Sequence, residues 1–365
     1  MSGTMSQFKK ILITGGAGFV GSSLAVLFRK AFTNIQITSF DNLKRRGGEL
    51  NLLRLKEHNI EFVHGDIRCR EDLEELNDFD LLIDCSAEAS VLAGITGSPL
   101  PIIMHNLLGT INCIEECRKR NSAFMFLSTS RVYPMVAINE LSWKEGQSRY
   151  IWTADNDLPG FSQKGISEEF STNGARSIYG ATKLSGELIL QEYAYSYKMP
   201  AMINRCGILT GPRQMGKVDQ GVVTLWVARH IFNKNLKYIG FGGTGKQVRD
   251  MLHVEDLFNL ILKQTSRMEL WDGRSYNVGG GNAVSASLLE LTNICEQITG
   301  KKIIIEPEKK TSSVDIRIYI SDTTKVQNDF GWTAQRDVPQ IVTDITKWIT
   351  NNYSNLETVF FEKVQ

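Results

Sequence analysis

A tyrosine and a lysine carry the clearest chemical signal in the sequence. Tyr179 and Lys183 lie four residues apart, and this spacing places both side chains on one face of a helix. A lysine ammonium beside a phenol lowers the phenol pKa from its usual value of about 10. The resulting phenolate can remove the proton of an alcohol while hydride leaves the same carbon. The pair therefore favours alcohol oxidation, although the same spacing also occurs on helix surfaces without any function.

A hydroxyl side chain completes the candidate catalytic group. Thr129 follows the apolar run 123–128, which is typical of a buried strand that ends at this point. A hydroxyl at the end of that strand can hydrogen-bond the same substrate oxygen as the tyrosine. We therefore expect Thr129, Tyr179 and Lys183 to form the catalytic site.

Three glycines join the first predicted strand to the first predicted helix. Gly15, Gly18 and Gly21 follow the apolar run 10–14. The first permits a tight turn, the second lets a pyrophosphate approach the backbone, and the third lets helix and strand pack closely. The N-terminus of the following helix then faces the phosphates. This context predicts a dinucleotide site, with an ordinary glycine turn as the simpler alternative.

An acidic residue after the second predicted strand indicates which dinucleotide binds. Asp41 stands twenty residues beyond Gly21, where a carboxylate accepts hydrogen bonds from both hydroxyls of the adenosine ribose and repels a 2′-phosphate. This position favours NAD over NADP. The basic residues 44–46 would tolerate a phosphate and keep NADP as an alternative. Asp66, which ends the third predicted strand, is expected near the adenine ring.

Strands and helices alternate along the first half of the chain. The predicted strands, each a short apolar run, are 10–14, 35–40, 60–64, 81–85, 123–128 and 202–204. This rhythm predicts an α/β fold with a Rossmann-type doubly wound parallel sheet, in which ligands bind at the carboxyl ends of the strands. We expect an NAD-binding domain at 1–209 and a smaller C-terminal α/β substrate lobe at 210–365, with segments near 250–280 returning to the first domain.

The composition excludes several classes of function. The 365 residues include 41 Lys+Arg and 40 Asp+Glu, and the resulting net charge of +1 provides no basic field for nucleic acid. The six cysteines form no Cys-x-x-Cys pair and the five histidines lack ligand spacing, so we expect neither a disulfide framework nor a metal site. No apolar run reaches the ~18 residues of a membrane span, and no hydrophobic signal core precedes the first strand. These features predict a cytoplasmic protein.

Together these motifs resemble the extended short-chain dehydrogenase/reductases that modify nucleotide sugars. Thr129 stands four residues before Tyr133, as the catalytic Ser/Thr does in that family. The segments 105–110, 245–256 and 277–280 resemble the family's Asn-x-x-Gly-Thr helix motif, its nucleotide-sugar signature and its later Asn-[Ile/Val]-Gly-Gly segment. The likeness spans nearly the whole chain and implies a bound NAD cofactor.

Within that family the sequence is most similar to the CDP-paratose 2-epimerases, also called CDP-tyvelose 2-epimerases. The similar stretches are 40–52, 62–68, 219–221 and 245–253. The resemblance implies epimerisation at carbon 2 of a CDP-linked dideoxyhexose, in which bound NAD oxidises the carbon and returns hydride to the opposite face. It also implies a homodimer that pairs through the helices near 103–120 and 177–198.

The motifs and the resemblance together suggest residues for both ligands. The residues expected at the cofactor are Gly15, Gly18, Phe19, Val20, Asp41, Asn42, Asp66, Ile67, Ser86, Ala87, Asn106, Tyr179 and Lys183. The residues expected at the substrate are Ser130, Arg131, Cys206, Arg213, Gln220, Arg249 and Arg317. Arg249 is the first candidate for the substrate diphosphate, because a guanidinium binds phosphate oxygens in a bidentate manner. Surface or domain-bridging ion pairs are the alternative for Arg213 and Arg317.

Other reactions that use the same catalytic residues and cofactor stay open. A 4,6-dehydratase of this family usually carries Thr-Asp-Glu at the catalytic threonine, whereas this chain has Thr129-Ser130-Arg131, which disfavours dehydration. A net dehydrogenase or reductase would exchange its cofactor with solvent and would more often use NADPH. An inactive nucleotide-sugar-binding module is a further alternative, although the intact catalytic group argues against it. The overall likeness and Asp41 favour the epimerase.

Overall fold

Strands form where short apolar runs end in polar or glycine-rich turns. A computed structural model describes residues 8–92, 94–95, 97–153, 158–216 and 220–361, so that Asp219 of the epimerase-like stretch 219–221 lies outside the described residues. The strands, in chain order, are β1 Lys10–Thr14, β2 Gln36–Asp41, β3 Glu61–His64, β4 Leu81–Asp84, β5 Ala123–Thr129, β6 Trp143–Glu145, β7 Tyr150–Trp152, β8 Phe161–Ser162, β9 Gly165–Ile166, β10 Ala201–Cys206, β11 Ile208–Thr210, β12 Leu236–Ile239, β13 Val248–His253, β14 Asp272–Val278, β15 Ser285–Ser287, β16 Ile305–Glu308 and β17 Ile318–Tyr319.

Helices occupy most of the stretches between these strands. In chain order they are α1 Phe19–Ala31, α2 Leu50–Glu57, α3 Arg70–Glu74, α4 Leu100–Ile103, α5 Gly109–Arg120, α6 Met135–Glu140, α7 Ile178–Tyr197, α8 Val222–Ile231, α9 Val254–Thr265, α10 Leu288–Thr299, α11 Thr324–Phe330, α12 Val338–Asn351 and α13 Tyr353–Phe361. A π-helical turn, Met104–Leu108, joins α4 to α5. The segment 100–120 is therefore one long helix with a widened turn.

A seven-stranded sheet carries the motifs of the first half of the chain. Its strand order is β14-β10-β5-β4-β1-β2-β3. The neighbours from β3 to β10 all pair in parallel. Every residue of β4, β5 and β10 is buried, as expected for a parallel sheet that helices cover on both faces. The predicted α/β fold with a doubly wound, Rossmann-type sheet is confirmed.

The strand order reverses between β1 and β4. The chain runs outwards from β1 through β2 to β3 and then returns to place β4 on the other side of β1. Ligands of such sheets bind outside the carboxyl ends of the strands at this reversal. The strand-end residues there are Thr14, Asp84, Thr129 and Cys206, with Thr14 in register with Asp84 and Thr129 in register with Cys206. The fold therefore brings the predicted motifs to one edge of the sheet.

The chain divides into two compact units. The first comprises Met1–Val132, Ser177–Cys206 and Leu257–Tyr276. Its core lies between the sheet and its helices and includes Leu12, Phe124 and Phe126.

The second unit comprises Tyr133–Arg176, Gly207–Asp256 and Asn277–Gln365. It contains a sheet in the order β11-β13-β15, in which β17 also pairs with β13. Its largest core cluster draws on α8, α10 and α12 and includes Trp226, Leu291 and Ile345.

One segment of this division departs from the predicted boundary between residues 209 and 210. Residues 133–176 belong to the second unit, because their short strands pair there: Ile166 forms a bridge with Ser321, and the Tyr150 N–H donates to the carbonyl of Lys246 at 3.0 Å. Leu257–Tyr276 belongs to the first unit and lies within the segments near 250–280 that the sequence analysis assigned to the first domain.

Two further features of the described residues concern the cysteines and the helices. All six cysteines are unpaired thiols. None of the helices within the described ranges is long and apolar enough to cross a membrane.

Candidate active site

The threonine and the tyrosine predicted for catalysis meet in the first unit. Thr129 is the last residue of β5, and Tyr179 lies in the first turn of α7. That helix begins where it does because the Ser177 hydroxyl accepts the backbone N–H of Gly180 at 3.2 Å. The buried Thr129 hydroxyl is hydrogen-bonded to the phenol of Tyr179. The two hydroxyl groups are thus held together at the carboxyl end of the sheet.

Lys183 lies one turn further along α7 and is also buried. Its Nζ lies 4.2 Å from the centroid of the Phe126 ring, a distance at which an ammonium and an aromatic face attract each other. Burial lowers the pKa of Lys183, and the Asp84 carboxylate is the strongest of the nearby groups that oppose this shift. The lysine therefore extends over the sheet, in the same layer as Tyr179.

The tyrosine is protonated at neutral pH in the protein alone. Burial raises the pKa of Tyr179 to about 12, although the hydrogen bond from Thr129 and the charge of Arg131 both oppose the rise. A phenol with this pKa loses its proton near neutral pH only when further positive charge comes close. Lys183 lies one helical turn away, and an oxidised nicotinamide would supply such a charge when bound.

The turn between β1 and α1 accepts only glycine at its critical positions. Gly15 has a φ of +61°, and a Cβ there would lie 2.7 Å from the carbonyl oxygen of Cys85. A Cβ at Gly21 would overlap the backbone of Gly15. Gly18 precedes α1 without any side-chain cap, so the first-turn amides beginning at Phe19 face outwards from the turn. This arrangement fits the pyrophosphate of a dinucleotide.

Two carboxylates follow β2 and β3 as the sequence predicts. Asp41 accepts the backbone N–H groups of Ala17 at 3.1 Å and Leu43 at 2.8 Å. These bonds fix the carboxylate beside the glycine turn, where it can accept the ribose hydroxyls.

The second carboxylate is part of an ion pair. Asp66 accepts the Asn42 side-chain amide at 2.9 Å and pairs with Arg68 at 2.6 Å. The hydrogen bond from Arg68 holds the pKa of Asp66 well below its usual range. Asp41, Asn42 and Asp66 therefore lie together at the ends of β2 and β3.

The remaining cofactor candidates lie around the end of β4. Ser86 donates its backbone N–H to Asp84 at 3.0 Å, and Ala87 follows it. Asn106, in the π-helical turn, exchanges two hydrogen bonds with the backbone of Glu88 at 2.8 and 3.0 Å. The widened turn thus anchors the loop after β4.

Ile67 lies on the neighbouring loop and is buried against the helix that follows the π-helical turn. A Cβ at Gly109 would overlap the Ile67 side chain. The carbonyl of Ile67 accepts the Asn112 amide at 2.9 Å. Ile67 therefore holds the loop after β3 close to α5.

Three of the substrate candidates lie beside the hydroxyls of Thr129 and Tyr179. Ser130 and Arg131 form a short 3-10 turn after β5, and the Arg131 N–H donates to Oγ1 of Thr129 at 3.2 Å. Cys206 is the register partner of Thr129 on β10, and burial raises the pKa of its thiol to about 12. The thiol is therefore neutral and presents a small, weakly polar surface.

The other substrate candidates belong to the second unit. Arg249 pairs with Asp315 at 2.8 Å and donates to the carbonyl of Val248 at 2.8 Å. The guanidinium of Arg317 stacks on three aromatic rings, at centroid distances of 4.0 Å for Trp143, 5.0 Å for Phe241 and 5.6 Å for Tyr150.

Arg213 and Gln220 lie on the loop that follows β11. Arg213 has a φ of +80°, which is uncommon for a residue with a side chain. Gln220 borders the residues 217–219, which are outside the described part of the chain. The four second-unit candidates thus lie on β13, the segment before β17 and this loop.

Two buried ionic features of the first unit were not anticipated from the sequence. Asp84 ends the apolar run of β4, and its position suggested only a strand terminus. Glu187 and Arg205 form a buried ion pair at 2.8 Å, one turn beyond Lys183. A charged residue at the end of a fully apolar run was the available signal for Asp84.

Comparisons with known proteins identify the family. The model of the NAD dependent epimerase/dehydratase family matches residues 11–279. The chain belongs to this family. A CDP-paratose 2-epimerase of Salmonella typhi is 30% identical over 349 residues, which cover 94% of this chain and 99% of that relative. A dTDP-glucose 4,6-dehydratase of Escherichia coli is 27% identical over 376 residues, or 94% of each chain.

A solved structure agrees with this assignment to the NAD-dependent epimerases and dehydratases. The crystal structure of a dTDP-glucose 4,6-dehydratase from Bacillus anthracis, determined in complex with NAD, matches with a TM-score of 0.73. The two sequences are 25% identical, and the match covers 96% of this chain and 99% of that one. The predicted membership of the extended short-chain dehydrogenase/reductases and the predicted NAD cofactor are confirmed. The glycine turn and the fixed carboxylate of Asp41 fit that cofactor.

Proposed function

We propose that this protein is a nucleotide-sugar epimerase that inverts carbon 2 of a CDP-linked hexose or deoxyhexose. The observation that carries the proposal is the hydrogen-bonded Thr129–Tyr179 pair with buried Lys183 on the next helical turn. The likeness to a CDP-paratose 2-epimerase over 94% of the chain supports the choice of nucleotide and carbon.

The residues of the chain would remove and return one proton, that of the reacting sugar hydroxyl. Thr129 and Tyr179 bind the sugar hydroxyl, and the phenolate of Tyr179 removes its proton. Lys183 stabilises that phenolate with its positive charge. NAD supplies a hydride acceptor that can later return the hydride to the opposite face of the sugar carbon. Tyr179 then gives the proton back to the same oxygen, so the reaction needs no net oxidant.

The residues after Thr129 favour epimerisation over dehydration. Elimination of water needs an acid and a base near the oxidised sugar, and the two positions that follow Thr129 hold Ser130 and Arg131. Both lie in the short turn that packs its backbone against the Thr129 hydroxyl. A hydroxyl and a guanidinium do not provide the carboxylate pair of the dehydratases.

We also propose that the enzyme is a cytoplasmic homodimer. The free thiols suit a reducing compartment. Leu100, Met104 and Leu108 recur every fourth residue along the helix 100–120 and are 58%, 37% and 36% exposed. The adjacent α7 adds Leu188, which is 56% exposed. An apolar stripe of this kind on two packed helices is typical of a helix-mediated interface.

Conversion of nucleotide sugars by the purified protein tests the function. We expect the protein to invert carbon 2 of a CDP-sugar without added cofactor. Proton NMR of the sugar would detect the inversion. Denaturing the protein should release nicotinamide dinucleotide into the supernatant. Stoichiometric consumption of added NAD would instead indicate a dehydrogenase. If CDP-, UDP-, GDP- and dTDP-sugars all remain unchanged, the proposal is wrong.

Removal of the catalytic phenol provides the first mutational prediction. Tyr179→Phe should lower kcat by about 10²–10⁴-fold, because proton transfer by a positioned group contributes that much. Its thermal midpoint should stay near the wild-type value, since the ring still fills its site. The matched control is Tyr195→Phe on the same helix, where the side chain is 75% exposed and turnover should not change. Equal activity of both variants would exclude Tyr179 as the acid–base group.

A further inference from the structure

A buried carboxylate lies at the centre of the first unit. Asp84 ends β4 and is fully buried. One of its oxygens accepts the Thr14 hydroxyl at 2.7 Å together with the backbone N–H and the hydroxyl of Ser86. The other accepts the Thr110 hydroxyl at 3.1 Å. All of these donors are neutral, so they satisfy the carboxylate's hydrogen bonds without compensating its charge.

The geometry of the sheet brings the turn of Lys183 into the neighbourhood of this carboxylate. Asp84 is in register with Phe126 on the adjacent parallel strand, and residues in register point to the same face. The Lys183 ammonium lies 4.2 Å from the centroid of the Phe126 ring. A Cβ at Gly186, on the same turn of α7, would lie 3.2 Å from Phe126 and 3.5 Å from Thr110, the donor to Asp84. The turn that carries Lys183 therefore packs directly against the Asp84–Phe126 pair.

The other groups near Lys183 carry no uncompensated negative charge. Glu187 is bound by the buried Arg205 guanidinium at 2.8 Å. Burial raises the pKa of the Cys85 and Cys206 thiols, so both are neutral at physiological pH. Neither Lys183 nor Asp84 belongs to an ion pair within 4.0 Å among the described residues, so their charges act on each other over a longer distance. Asp84 is thus the one anion in the described surroundings of Lys183 that lacks another cation.

We propose that Asp84 is a positioning residue that acts as the counter-ion of the Lys183 ammonium. A buried ammonium tends to lose its proton, and a buried carboxylate tends to gain one, unless each compensates the other. The paired charges keep Lys183 protonated and fixed over the sheet. The catalytic consequence rests on the proposed function: a charged Lys183 lets the Tyr179 phenol ionise during the reaction.

Unfolding experiments test the pairing without reference to activity. Lys183→Met should lower the thermal midpoint, because it leaves the Asp84 charge buried and uncompensated. The double variant Lys183→Met/Asp84→Asn should regain part of that loss, since both charges are gone. A double variant that is no more stable than Lys183→Met would overturn the proposal. The comparison holds even if Asp84→Asn alone does not fold.

A pH profile tests the catalytic consequence. In Asp84→Asn, the alkaline limb of kcat should move about one unit to lower pH, which is a tenfold change in the acid dissociation constant of Lys183. KM for the nucleotide sugar should change less than twofold.

The matched control for this profile is Glu116→Gln, which removes a buried carboxylate of α5 that Lys119 and Arg120 already bind. It should lower stability but leave the alkaline limb in place. An unmoved limb in Asp84→Asn, or the same shift in both variants, would contradict the role of Asp84. If the protein shows no epimerase activity, the pH profile cannot be measured, but the unfolding test still decides whether Asp84 and Lys183 are paired.

Discussion

Asp250 shows how burial changes the behaviour of a single residue. It is 1% exposed on β13, and burial raises its pKa to about 6, although the Gly281 N–H donates to it at 3.2 Å. The Asp250 carboxyl therefore binds its proton more tightly in the folded state than in the unfolded state. Protonation of Asp250 thus contributes to the free energy of unfolding, and this contribution is complete at low pH. It is lost as the pH rises from about 4 through 6.

The second prediction follows from this shift. The free energy of unfolding of Asp250→Asn should rise relative to that of the wild type as the pH increases from 4 to 7. The relative gain should reach about 3 kcal/mol at pH 7. Urea unfolding of both proteins across that range measures the difference, which removes the contributions of all other titrating groups. A constant difference at every pH would show that Asp250 ionises normally.

The sequence predicted individual site residues where a local motif marks them. The spacing of four residues marks Tyr179 and Lys183 as candidates, and the position after an apolar run marks Thr129. The proposed counter-ion of Lys183 has no such mark, because Asp84 lies 99 positions earlier and comes near the lysine only through strand pairing and helix packing around Phe126. Charge balance in a core depends on tertiary contacts, which spacing along the chain does not encode.

Among the structural elements, a turn and a helix end can be compared through their glycines. Gly15 lies in the turn between β1 and α1, and Gly300 lies at the end of α10. Gly15 and Gly300 both have positive φ, of +61° and +68°. A Cβ at Gly15 would meet the Cys85 carbonyl at 2.7 Å, whereas a Cβ at Gly300 would have no atom within 4 Å among the described residues. The two positions therefore separate steric overlap from backbone strain.

The third prediction uses this pair. Gly300→Ala should cost about 1 kcal/mol, the strain of a left-handed alanine. Gly15→Ala should cost clearly more, about 3 kcal/mol, because the overlap adds to that strain, and it should also reduce the NAD that copurifies with the protein. Chemical unfolding and the cofactor released on denaturation give the two measurements. Equal losses of stability would mean that the turn relaxes around the extra methyl group.

Elements with strong periodicity were predictable, and short ones were not. The six predicted strands and the long helix of residues 103–120 all form. The π-helical turn inside that helix was not foreseen, because its residues fit ordinary helical spacing and the extra turn width depends on the Asn106 contact with Glu88. Strands β6 to β9 were also missed, since each has only two or three residues.

At the scale of the whole molecule, the fourth prediction concerns assembly. Light scattering at micromolar concentration should give the mass of a dimer. Leu100→Glu combined with Met104→Glu should yield monomers, because charges would replace the apolar stripe. Leu53→Glu, at a 66% exposed position on α2, is the control and should leave the dimer intact. A monomeric wild type would refute the proposed interface.

The placement of β14 affects how the protein is made. Asp272–Val278 forms the edge of the large sheet beside β10, although Cys206 ends β10 much earlier in the chain. During synthesis β10 therefore leaves the ribosome with an open edge, which can pair with strands of other nascent chains. We expect translation of the intervening segment to be the interval in which chaperones matter most. A fragment truncated at residue 209 would keep that open edge permanently and should precipitate.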